Sequence, residues 1–498
     1  MNAAPHNGGA TVGKQAGRTW LWLAVSLVLL LSVVIVNGGP LYYYDSSAYV
    51  DNGAKLLELL GIHTTPVAAL PSAGGGEALG ANTVNGSRSV VYSLITSVFG
   101  ILISPVALPI AHAVMTLLFC LILYRVVGRV LLNGASAPMS GLAISIAIAC
   151  LGSLPFYVAY FMPDILTIPM VMCVGMVAAF WRNMHLSEIA LAFVIATTGV
   201  LSHPSHPVIL ALLIPFIFLA VVLVDRRLWW KPVLFGCLVL SVAGAERLAF
   251  SFAAKEKLDA QVVYYPFLTA RLIEDEVGYR YLNENCPNED IPTCALHEAL
   301  SWSSDPYRLT ASHIIFENSK ELGSFRLMDS HDQQRVANNQ VRFAIDVFKA
   351  LPIQTIGTVI GNTLEQAGMN SIKMTIPQPG VHRSLNSLEV INKDAFKLGN
   401  LKRNQNWLLT AERLQDGFYV LCGLALVAMM VWPGLLSGQV RVFVLFVTAG
   451  VLINAFVCGA VSQPADRYGA RAIWALPLVT AMIGAISILG RKNSEASQ

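Results

Sequence analysis

Long unbroken apolar runs alternate along the chain with short polar connections, the pattern of a protein that crosses a membrane many times. Ten runs have about the 20 residues that a bilayer requires: 19–38, 104–124, 139–160, 164–181, 186–203, 207–224, 231–253, 415–434, 440–460 and 472–490. Residues 89–104 are apolar as well and read as a re-entrant or interfacial helix. The stretch "AYVDNGAKLLELLG" sets Ala48, Leu57, Leu59 and Leu60 among polar residues, which predicts an amphipathic helix lying in the interface. Residues 254–410 are too many for a structureless loop and carry several helical periodicities, Trp302 and Trp407 among them. They predict a mostly helical domain inserted between the seventh and eighth spans. The expected fold is therefore an all-α polytopic membrane protein with about ten transmembrane helices. Its parts are a disordered tail (1–18), a transmembrane core (19–253) with a long first loop (39–88), the inserted domain (254–410), the last spans (411–490) and a short tail (491–498).

Composition agrees with this pattern. Of 498 residues, 55% are hydrophobic and only 13% charged, with a mean hydropathy of +0.59. Ordinary soluble domains carry about 25% charged residues. The net charge of +3 comes from scattered basic residues, so nothing suggests a nucleic-acid partner. The first run lacks a small-residue cleavage site and is expected to be a retained anchor.

Basic residues orient the chain. Lys14, Arg18, Arg125, Arg129, Arg182, Arg226, Arg227, Lys231, Arg441, Arg491 and Lys492 all fall on one side if the N-terminus is cytoplasmic. The first loop, residues 254–410 and the turns near Pro163, His203–His206 and 461–471 then face outward. Six cysteines lie in apolar runs, whereas Cys286 and Cys294 share a polar region. In an oxidising compartment that pair is expected to form a disulfide. The spacing does not fit a zinc pattern.

Ionisable residues collect on the outward side: Asp45, Asp51 and Arg88 in the first loop, Asp164 in "FMPDIL", and His203 and His206 in "LSHPSHP". Glu246 and Arg247 follow in "AERLAF", and Arg467, Tyr468 and Arg471 in "SQPADRYGARAIW". Each has an ordinary reading by itself. Asp45 and Asp164 suit helix caps, the His-Pro segment a rigid turn, and the arginines headgroup anchors. Their convergence at one bilayer depth favours a site, because ionisable groups there are costly. Arginine suits a lipid phosphate, and a carboxylate suits removal of a proton from a sugar hydroxyl. Asp164 with His203 and His206 would also make a candidate metal-ligand set.

These motifs resemble the GT-C class of membrane glycosyltransferases, which includes protein O-mannosyltransferases and the aminoarabinose transferases of lipid A. "YYYDSSAY" matches the acidic motif of the first outer loop, "NGSRSVVYSLI" its basic-aromatic exit, "FMPDILTIPM" a later acidic opening and "DRYGARAIWALP" a late outer Arg-Tyr. The resemblance covers about 20–250 and 415–490. It implies Asp45 as general base, Asp164 as a supporting or metal-binding carboxylate and Arg467 on the donor phosphate. Position alone adds Arg88, Arg471, His203, His206 and Tyr468 as substrate-binding candidates and Asp51 and Glu246 as secondary ones. The expected activity is inverting transfer of a sugar from a polyprenyl phosphate to a glycan, lipid or protein acceptor. It would occur at the periplasmic or exterior face of the cytoplasmic membrane, and a divalent metal ion is a possible cofactor. Two rival readings are an O-antigen-type polymerase or ligase with a lipid diphosphate donor, and a lipid-linked-sugar flippase. A transporter is expected to carry mid-bilayer charge and paired broken helices, and the charges here sit at one end.

Overall fold

In a computed structural model of the chain, residues 8–62, 83–224, 230–317, 319, 323, 325–386, 388 and 396–495 are described. Arg226, Arg227 and residues 63–82 of the expected first loop lie outside them. The protein is a helical bundle of membrane-crossing character. Seven helices among the described residues are long and apolar enough to span a bilayer: Ala107–Leu131, Pro163–Asn183, Ser205–Leu223, Trp230–Leu258, Leu408–Val431, Gly438–Val461 and Asp466–Gly490.

The other three expected spans are broken or short. Run 19–38 is interrupted at Leu31 between helices Gly8–Leu30 and Ser32–Asn37. Run 139–160 divides into Met139–Ala149 and Leu154–Ala159, with Pro155 opening the second piece. Leu186–Ser202 has 17 residues and ends where His203 and Pro204 turn the chain. Hydropathy measures only apolar content and does not register these breaks. The first helix begins at Gly8, inside the tail expected to be disordered, and the last helix continues to Glu495.

Helix Pro163–Asn183 is apolar on all sides and stands at the centre of the bundle, with 94% of its apolar window buried. It carries Asp164 at its start. The outer helices show apolar faces to the surroundings, as Val420, Leu421, Leu424 and Val427 do on Leu408–Val431. At one end of the bundle Glu188 closes its own helix by accepting the His185 N–H, and it pairs with Arg129 at 2.7 Å. The site occupies the opposite end.

The inserted region divides differently from expectation. Residues Val263 to Leu351 supply a second hydrophobic core of short helices, containing Leu272, Leu282, Leu296, Ile314 and Phe343. The Cys286–Cys294 disulfide closes one of its turns. Val381, Leu385 and Phe396 belong instead to the core of the bundle. Phe396 packs edge-on against Tyr42 and Phe161, and Asn37 accepts the Leu401 N–H. The 254–410 region is thus one small domain followed by a return strap that packs on the bundle. The domain is joined to the first loop by a parallel strand pair, Thr83–Asn85 with Gln261–Val263.

Candidate functional site

Asp45 is set in place by the chain around it. Leu41 bridges to the 159–161 turn, donating its N–H to Ala159 O at 2.8 Å and accepting from Phe161 N at 2.7 Å. Helix Tyr44–Leu59 then starts with a reciprocal cap between Tyr43 and Ser46, and the Ser46 hydroxyl also donates to Phe161 O. Asp45 is therefore not the cap, and the capping reading is corrected. It lies in the first helical turn, where the helix dipole favours a negative charge.

Arg88 is fixed by the contacts of the residues on either side of it. The Asn85 side chain accepts the Ser87 N–H, making a turn at Gly86. A β-carbon on Gly86 would lie 2.6 Å from Val262 and 2.8 Å from the Tyr264 ring, so glycine alone allows this approach. Ser87 accepts the Tyr265 N–H and Ser89 caps the helix that follows. Arg88 Nη2 then meets Asp45 Oδ1 at 2.7 Å.

The second arginine on Asp45 arrives from 422 residues away: Arg467 Nη1 lies 2.9 Å from Asp45 Oδ2. The Arg467 guanidinium sits over the rings of Tyr43 and Tyr468, 4.9 and 4.7 Å from their centroids, and donates to the Tyr468 hydroxyl. One turn on, in the same helix Asp466–Ile473, Arg471 is wholly buried against Asp164 at 3.2 Å. Asn454 accepts from Arg471 at 3.1 and 2.9 Å, and Ser205 accepts at 3.2 Å. The Tyr468 ring also lies under Arg471, 5.0 Å away, so one tyrosine supports both cations. Asp164 Oδ2 is buried without a hydrogen-bond partner. Asp164 caps nothing: it lies in a short 3₁₀ turn, Pro163–Leu166, ahead of the helix.

The electrostatics follow from this geometry. Burial raises the Asp45 carboxyl, but the charges of Arg88 and Arg467 outweigh it and hold the group below the usual carboxylate range. Burial, with Arg471 the largest of the nearby charges, holds His203 well below the usual imidazole range. Burial pushes the Tyr43 phenol up to about 12, against the pull of Arg467, so it remains protonated.

A narrow cleft of about 30 Å³ opens beside Arg88, lined by His203, Glu246, Arg247, Phe250 and Tyr264. Arg247 rests on the Tyr264 ring. Glu246 is therefore on the wall of the site.

Two expected residues stand apart. Asp51 pairs with exposed Lys55 at 2.8 Å, because six residues carry it about 240° around the helix from Asp45. His206 is buried with both ring nitrogens engaged, one by Thr167 at 2.8 Å and the other by Gly199 O at 2.6 Å. With Asp164 also bound to Arg471, the set Asp164, His203 and His206 does not form a metal cradle. Among the described residues, three ligating atoms gather within 4.8 Å at Asp329, His331 and Asp332, on the surface of the inserted domain. There Asp329 is already the cap of helix Ser330–Ala350.

Asn454, Ser205 and Tyr43 join the site without having been singled out as candidates. Asn454 was recognisable as a lone amide inside "GVLINAFVCG". Set against family models, curated proteins and solved structures, the chain matches none.

Proposed function

We propose that the protein is a GT-C-like glycosyltransferase that takes its sugar from a polyprenyl phosphate. The observation that carries this reading is the Asp45 carboxylate held between Arg88 and Arg467 at one end of a membrane bundle. A group able to accept a proton and two groups suited to a phosphodiester occupy one spot. That spot lies where a lipid tail would remain in the bilayer and a hydroxyl acceptor would arrive from water.

The ion pairs suggest an order of events. The donor phosphate draws Arg88 and Arg467 toward its oxygens, in bidentate fashion. Asp45 loses its counter-charges and becomes more basic. It takes the proton of the acceptor hydroxyl as that oxygen bonds to the anomeric carbon, while the bond from that carbon to the phosphate oxygen breaks. The lipid phosphate leaves with the bonding pair, and the anomeric centre is inverted. Arg471, Asp164 and Asn454 hold the arginine helix rather than touch the reacting atoms.

The test is a transfer assay in proteoliposomes, with polyprenyl-phosphate sugars offered beside polyprenyl-diphosphate glycans. Glycoside formed from the monophosphate donor, and lost in Arg467→Gln through a raised KM, is expected. Turnover of the diphosphate donor alone, or movement of donor across the bilayer without a new glycosidic bond, would overturn the reading.

A further inference from the structure

Helices Ser330–Ala350 and Pro352–Gly368 meet at a bend of 117° and together are long and apolar enough to make one broken span or a re-entrant loop. The second helix has the reverse of a water-soluble pattern. Its polar residues Thr355, Asn362 and Gln366 are buried in the protein. Its apolar residues Ile353, Ile356, Ile360 and Leu364 form one outward stripe, with Ile353 81% and Leu364 68% exposed. On the first helix Val341 (63% exposed), Ile345 and Phe348 also face outward, with the exposed charges of Arg342 and Lys349 beside them.

The neighbours indicate what covers this stripe. Helix Pro352–Gly368 packs on the membrane-crossing helix Gly438–Val461, close enough that a β-carbon on Gly459 would lie 2.4 Å from Asn362 O. That span shows Leu445, Leu452 and Phe456 outward, a row that runs toward the same end. The inward edge of the elbow is tied firmly. Gln366 donates to Ala465 O and accepts the Ala465 N–H, next to the helix that bears Arg467 and Arg471. Asn362 donates to Asp275 and accepts from Arg271 in the inserted domain.

We infer that this elbow is a lipid-embedded anchor: its apolar stripe enters the bilayer's acyl region, and its polar edge holds both the inserted domain and the arginine helix at a set depth. The occupant is lipid, because the stripe continues the lipid-facing row of the span it packs on. The inference rests on the membrane character of the bundle and not on the transferase reading.

Nitroxide labels test it directly. Cysteine is introduced singly at Ile353, Ile356, Ile360 and Leu364, and at Val341 and Ile345 on the other arm. The full chain carries alanine at its six free cysteines and is placed in phosphatidylcholine–phosphatidylglycerol nanodiscs. All six labelled positions are at the surface, and because four of the replaced cysteines are buried, the cysteine-free parent is first required to melt at the wild-type temperature. Accessibility to oxygen should exceed accessibility to a water-soluble nickel complex, as at a label on Leu421 of a span. Labels matching the water-exposed position Arg280 would overturn the inference. So would labels shielded from both probes, the sign of a second protein chain on the stripe.

Discussion

Asp45 is the residue on which the functional reading depends, and its neighbours change what a substitution there should do. Its side chain is 16% exposed, and those of Arg88 and Arg467 are 12% and 8%. Removing its charge leaves two nearly buried guanidinium groups without their carboxylate. Breaking a buried pair costs roughly 3–5 kcal/mol, so Asp45→Asn should lose stability as well as a factor of about 10²–10⁴ in rate. Asp45→Glu, which keeps the charge, should recover most of the melting temperature and little of the rate. If both variants turn over at near-wild-type rate, Asp45 is not the base. The pH dependence has a definite sign. Folding depresses the Asp45 value below the ~3.9 of a free aspartate, so the pair's stabilisation is complete above that pH and is lost only as pH falls through the folded value. The acid limb of kcat/KM, which reports the free enzyme, should therefore lie below about pH 4. Donor binding draws the arginines away, so the acid limb of kcat should sit at higher pH. Coincident limbs would refute that displacement.

Helix Tyr44–Leu59 has to lie closely on Val90–Thr96 and the turn Ser97–Ile101 to present Asp45 to Arg88. Gly53 makes this possible: a β-carbon there would lie 1.8 Å from Ser97 Oγ and 2.3 Å from Ser93 O. Gly53→Ala should cost about 1–3 kcal/mol through overpacking, and the tilt it forces should lower kcat as well. Gly357 is helical too, but nothing lies within 4 Å of its missing β-carbon. Gly357→Ala should be neutral or stabilise by up to about 1 kcal/mol. Thermal melts of the two variants in one detergent check the contrast. The amphipathic character of 48–60 was visible in the sequence, but the contact that needs Gly53 was not.

For the molecule as a whole, the disulfide and the basic residues support one orientation. A Cys286–Cys294 bond persists in an oxidising compartment. The inserted domain and the site end should therefore face away from the cytoplasm. Cysteine placed at Ser304 should react with an impermeant maleimide on intact cells. Reaction only after lysis would reverse the topology. At this scale much was legible without coordinates. Span-length apolar runs mark bilayer helices because the bilayer core leaves no other partner for backbone polar groups. The polar residues at one end stood out because charge at membrane depth is costly.

What the sequence alone determined was the membrane-spanning class of the protein, the end at which its ionisable groups gather and the cysteine pair, since hydropathy, charge cost and compartment act on local stretches of chain. Only the tertiary structure decided which charges meet. Asp45 and Arg467 are brought together by the docking of the first loop on the 159–161 turn and of the last outer turn on Asn454, contacts that no local pattern encodes. Tertiary packing also decided that His206 is a structural residue and Asp51 a surface one. It broke two apolar runs, and it turned the apolar face of helix Pro352–Gly368 outward. Hydropathy reports how much apolar surface a segment carries, and only packing decides which way that surface points.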